Sequence, residues 1–195
     1  MPTSAFTGHI AGLGTASGTR IVLGLWDETP FGPVADAMVE DPTGHRTLVA
    51  PTQELADFIA ATYTFDEILV DDVERRGWAL RSEHLDVRVE PGASTLIGRL
   101  LRLVPRRLGS TRGWARAVDP VARVVMPGVR THGTAGNGRV EWYSPRGVRR
   151  IDSVSATWRG VDLGALAPVA PPVRFGFASA PRTPSLTSLT SYVSV

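Results

Sequence analysis

The sequence predicts an α+β fold: a strongly curved antiparallel sheet or β-barrel of about seven to eight strands with about three helices. Three observations predict it. Leu85, Val87 and Val89 alternate with Asp86, Arg88 and Glu90, the period of a strand with one face in water. Short runs of β-forming residues are separated by turn signals, of which Asp41-Pro42-Thr43-Gly44 is the strongest. Between two such runs, Leu55, Phe58, Ile59 and Tyr63 repeat at helical spacing, and a helix placed there needs a sheet to pack on.

In chain order, residues 1–18 read as an irregular lead-in. Its Gly12-Leu13-Gly14 resembles part of a dinucleotide-binding loop. No strand precedes it and a strand rather than a helix follows, so that reading is rejected. Arg20–Trp26 is the first strand. Ala35–Glu40 and Arg46–Ala50 form a hairpin across the Asp41–Gly44 turn, Pro51 ends it, and Thr52 is placed to cap the helix that follows. Phe65–Val70 is the next strand, and segments 66–77 and 78–90 give two more, turning at Arg75-Arg76-Gly77.

A helical segment is expected over 94–127. Ser94 would cap a helix from Thr95 to Val104, apolar on one side and carrying Arg99, Arg102, Arg106 and Arg107 on the other, with Pro105 at its end. Asp119 and Pro120 read as N-cap and first residue of a second short helix over Val121–Met126, stopped by Pro127-Gly128. Gly133–Gly138 is a loop. Arg139–Tyr143 and Val148–Ala156 read as a hairpin across Ser144-Pro145-Arg146-Gly147. The proline-rich stretch 165–184 includes an edge strand at Val173–Phe177 and otherwise runs extended. Residues 183–195 form an uncharged Ser/Thr-rich tail, either disordered or a last strand. The whole reads as a single domain over 19–182.

Composition removes several chemistries. The chain of 195 residues has no cysteine, so disulfides, thiolate nucleophiles and thiolate metal sites are excluded. All 21 basic side chains are arginine, which excludes Schiff-base and P-loop lysines. No G-x-S-x-G elbow and no paired-histidine metal motif is present. No cofactor or metal is expected. No apolar run reaches the length of a membrane span, and the first residues lack a signal-peptide pattern, so a cytoplasmic protein is expected. The net charge of +2 conceals a division: residues 27–90 carry a balance of −10 and residues 91–195 a balance of +11. The two halves neutralise each other within one fold or across a homodimer, or the basic part meets an anionic ligand, a membrane or nucleic acid.

The site residues suggested by sequence are few. His132 is the candidate catalytic group, because it lies beside a glycine loop with Arg130 and Arg139 near enough to hold an anion. Trp26 and Trp142 are candidate walls of a ligand pocket. The favoured function is non-catalytic binding of a small apolar or anionic molecule in a barrel-like fold. The alternatives are an enzyme acting on an anionic substrate near His132, and a peripheral membrane or nucleic-acid contact through the arginine-rich segment 99–130.

Three resemblances bear on this. Gly24-Leu25-Trp26 resembles the Gly-x-Trp near the start of lipocalin barrels, and that likeness would place Arg174 over the tryptophan. PFGPVADAMVEDPTGHRTLVAP together with APPVRFGF resembles an uncharacterised protein family of GC-rich actinobacteria, which implies one compact domain and no known activity. A barrel with helices inserted between its strands is similar to the acetoacetate decarboxylase architecture. That enzyme's mechanism needs a lysine, which this chain lacks, so the likeness does not carry the activity.

Overall fold

The computed structural model describes residues 3–126, 128–134 and 138–194. Thirteen strands and four helices follow in the order β1 (Thr3–Thr15), β2 (Arg20–Glu28), β3 (Val34–Glu40), β4 (Arg46–Ala50), α1 (Gln53–Ala60), β5 (Glu67–Val70), β6 (Glu74–Arg76), β7 (Ala79–Arg81), β8 (Leu85–Ser94), α2 (Leu96–Leu101), α3 (Arg106–Gly109), α4 (Arg112–Val125), β9 (His132–Thr134), β10 (Val140–Trp158), β11 (Val161–Asp162), β12 (Leu166–Ala167) and β13 (Ser185–Ser194). All strands belong to one sheet, whose main path runs β5-β4-β3-β2-β1-β13-β10-β8-β7-β6. The β4–β5 pair is parallel, with α1 as its crossover, and the other pairs are antiparallel.

That order forces the curl. β5 and β6 stand at opposite ends of the path, yet only residues 71–73 join them. So short a link cannot cross a flat sheet of this width, since an extended chain covers only about 3.5 Å per residue. The two ends must therefore lie close together. β6 packs back against β3, Arg75 pairs with Asp27 at 2.8 Å, and His84 pairs with Asp71 at 3.1 Å. β5 and β6 are not hydrogen-bonded to each other, so the sheet is a strongly curled open half-barrel. Inside the curl, alternate residues of the strands form the main core, with Leu13, Ile21, Leu23, Leu80 and Val87 fully buried. Phe6, Ile10, Trp26 and Met38 point to the other face, where α1 contributes Leu55, Ala56 and Ile59. Thr52 caps α1, accepting from the Leu55 amide, as expected.

Several expectations are corrected. Among the described residues the sheet has 13 strands rather than about seven to eight, and there are four helices rather than about three. Residues 3–15 of the expected lead-in are the long strand β1. Its glycines admit close neighbours: a Cβ on Gly14 would stand 2.2 Å from the Pro168 carbonyl oxygen. Ser144-Pro145-Arg146-Gly147 is not a hairpin turn. β10 runs straight through it with a bulge, because β13 and β8 supply partners along its length. Thr95, not Ser94, caps α2, which ends at Leu101. Asp119 and Pro120 lie inside α4, whose cap is Thr111. The Asp119 carboxylate instead accepts from the Thr131 amide at 2.8 Å and from Arg123 and Arg130, tying α4 to the chain before β9. Val173–Phe177 is irregular, its Val173 and Phe175 buried. Of the two readings of the tail, the last strand holds: β13 lies between β1 and β10, so both its edges are hydrogen-bonded, and none of its residues is exposed, which suits a segment without charge. Pro127, the loop centre Ala135-Gly136-Asn137 and Val195 lie outside the described residues.

Candidate ligand cavity

On the face opposite the main core lies a cavity of about 550 Å³. Its floor is the sheet: Phe6 and Ile10 of β1, Gly24 and Trp26 of β2, Asp36 of β3, Leu189 and Ser191 of β13, Glu141 and Tyr143 of β10. Its walls are α1 with the chain after it (Phe58, Tyr63), α2 (Ile97, Leu101), α4 (Val118, Ala122) and the segment 173–181. The register explains the convergence, because Asp36↔Gly24↔Ile10↔Thr187↔Val148 form one row across five strands and their side chains share a face. Most of the lining is apolar, and the polar groups gather in two places.

The first is Asp36, 3 % exposed, which accepts a hydrogen bond from the Trp26 indole N–H at 2.8 Å. Burial raises its carboxyl from an ordinary 3.8 to about 7, the indole hydrogen bond only partly opposing that. Gly24 makes the pair possible, because a Cβ there would stand 2.4 Å from both the Asp36 oxygen and the Trp26 nitrogen. The Gly-x-Trp pattern thus has a local cause. Arg174 takes no part in it: its guanidinium pairs with buried Glu40 at 3.0 Å, beside Arg20, while Phe6 packs edge-on against Trp26.

The second is Glu141, 2 % exposed. Both of its oxygens lie 2.7 Å from the Tyr63 hydroxyl, and one accepts from Ser191 at 2.8 Å. The Tyr143 hydroxyl is 3.2 Å from that of Tyr63. Burial raises the Glu141 carboxyl above its ordinary range, against the hydrogen bonds it accepts. Burial, and then the neighbouring Glu141, push both phenols well above 10, so they remain donors. The arrangement presents hydroxyl and carboxyl groups to an otherwise apolar space.

The mouth is marked by residues that both line the cavity and are exposed: Leu100 of α2 and Val121 and Val125 of α4. The cavity therefore opens between these two helices.

Of the residues suggested by sequence, Trp26 and Arg130 line the cavity, although Arg130 is held by Asp119 at 3.2 Å. The other three do not line it. His132 lies in β9, where its Nε2 accepts from Arg112 at 3.1 Å, and burial followed by Arg112 and Arg116 lowers its pKa. Arg139 lies over the Phe58 ring and donates to the Phe58 carbonyl and Thr62 hydroxyl, pinning the end of α1. Trp142 stacks on Tyr192 and donates to the Ser110 carbonyl. Asp36, Tyr63, Glu141, Tyr143 and Ser191 were not singled out, because they come from distant segments that only the sheet order assembles. The available signal was an acid in phase with cavity-facing neighbours: Asp36 with Met38, Glu141 with Tyr143.

No family model, curated protein or solved structure matches the chain.

Proposed function

We propose that the protein binds a small, largely apolar molecule in this cavity, without transforming it. The observation that carries the reading is the cavity itself: its volume falls within the roughly 300–1,000 Å³ of ordinary ligand sites, its walls are mostly apolar, and its polar groups converge. The ligand is uncharged. The two buried carboxyls offer an anion no positive partner, and Arg130, the arginine on the wall, already serves Asp119. A hydroxyl or carbonyl on an otherwise hydrocarbon molecule suits the Tyr143–Tyr63–Glu141 group, which offers both donors and acceptors. An enzymatic reading centred on His132 draws no support from the cavity, since His132 does not line it.

Native against denaturing mass spectrometry of freshly purified protein tests this. A retained non-covalent mass that extracts into organic solvent is expected. Tyr143→Phe should weaken rebinding of the recovered molecule about tenfold, the equivalent of one lost hydrogen bond of roughly 1.4 kcal/mol. A retained species that is an anion, or an affinity unchanged by Tyr143→Phe, would contradict the assignment.

A further inference from the structure

The helical layer over the cavity has an unusual outer surface. Leu96 and Leu103, at 71 % and 78 % exposed, and Val124 at 80 %, project from it without lining the cavity. They flank the exposed rim residues Leu100, Val121 and Val125. The seven arginines between residues 99 and 123 are all exposed, and the one acid in that stretch, Asp119, is buried and bound to Arg123 and Arg130. Large apolar side chains left in water beside a dense positive charge do not help a freely dissolved protein. Together they have the composition of a surface that enters the boundary of an anionic bilayer: the apolar residues reach the acyl region while arginines meet the head groups. Nucleic acid would satisfy the arginines but would leave the leucines and valines exposed. No described helix is long and apolar enough to cross a membrane, which fits a surface contact made by side chains.

We infer that the face formed by α2, α3 and α4 docks on an anionic lipid surface, turning the cavity mouth toward the bilayer. Exchange of an apolar ligand through that mouth rests on the binding reading above. The docking itself does not.

The test is co-sedimentation of the full chain with vesicles of phosphatidylcholine alone and of equal parts phosphatidylcholine and phosphatidylglycerol, at low and high salt. Binding to the mixed vesicles that falls with salt is expected. Arg99→Gln and Arg107→Gln should each reduce it about fivefold. Leu103→Ser with Val124→Ser should reduce it at least about tenfold, because less apolar area enters the bilayer. Both positions are highly exposed, so the fold should be retained. In parallel, uptake of the neutral apolar dye Nile red without vesicles reports the cavity. The double serine variant should still take up dye. Failure to bind the mixed vesicles at low salt overturns the docking, whatever the dye result. So does vesicle binding unaffected by the double serine change and matched by duplex DNA, which would mark a simple polyanion site. Loss of self-association in that variant, with no vesicle binding in either protein, overturns it in favour of a second copy. Vesicle binding without dye uptake supports the docking while removing the cavity reading.

Discussion

Between about pH 4 and pH 8, the native chain should lose about 4 kcal/mol of stability relative to Asp36→Asn. Asp36 has a folded pKa raised from 3.8 to about 7. A carboxyl with a raised pKa binds its proton more tightly in the folded state. Its stabilising contribution is therefore complete below pH 3.8, falls as pH rises, and is gone above about pH 7. Glu141 shifts in the same direction and adds its own loss to the native profile. Asp66, Asp41 and Glu67 shift the other way: their contributions are present above the ordinary carboxylate range and are lost as pH falls below it. His9 and His132 are lowered by burial and gain stability as pH rises toward 6.5. Comparing the two proteins at each pH by urea unfolding isolates the Asp36 share from all of these. Parallel profiles for native and variant chains would show that Asp36 is not buried as an acid in the folded protein.

Gly24→Ala should destabilise the chain by about 3 kcal/mol. The new methyl carbon would stand 2.4 Å from each of two atoms, and neither can retreat cheaply. Trp26 is a large ring fixed against Phe6, and Asp36 is a short, buried side chain. Making room breaks the Trp26–Asp36 hydrogen bond and leaves a donor and an acceptor unpaired away from water, in addition to steric strain. Thermal unfolding measures the loss. A change under about 0.5 kcal/mol, the level of an indifferent surface substitution, would mean the close contact is not present in solution.

How much of this was legible follows from the range of each signal. The turn at Asp41–Gly44, the Thr52 cap and the alternation of 85–90 are local, and each appears in the structure where the residues place it. Two misreadings share one cause. The glycines of 3–15 suggested an irregular lead-in, and Ser144-Pro145-Arg146-Gly147 suggested a turn. Yet both segments are strand, and each pairs with β13, which is far away in sequence. Strong non-local pairing overrides weak local preference. The cavity was partly visible through Trp26 and Arg130. Glu141 and Tyr63 lie 78 residues apart, and nothing in either neighbourhood announces the other.

The central claim is that the space above β1, β13 and β10 holds an apolar molecule. The most direct measurement is a Nile red titration of the native chain beside Ile10→Trp, whose indole would project into that space from the middle of the floor. Saturable binding at one site is predicted for the native chain, weakened at least about tenfold in the variant by loss of the volume the dye occupies. Equal binding by both proteins, with the variant folded, would contradict it and place the dye elsewhere on the protein.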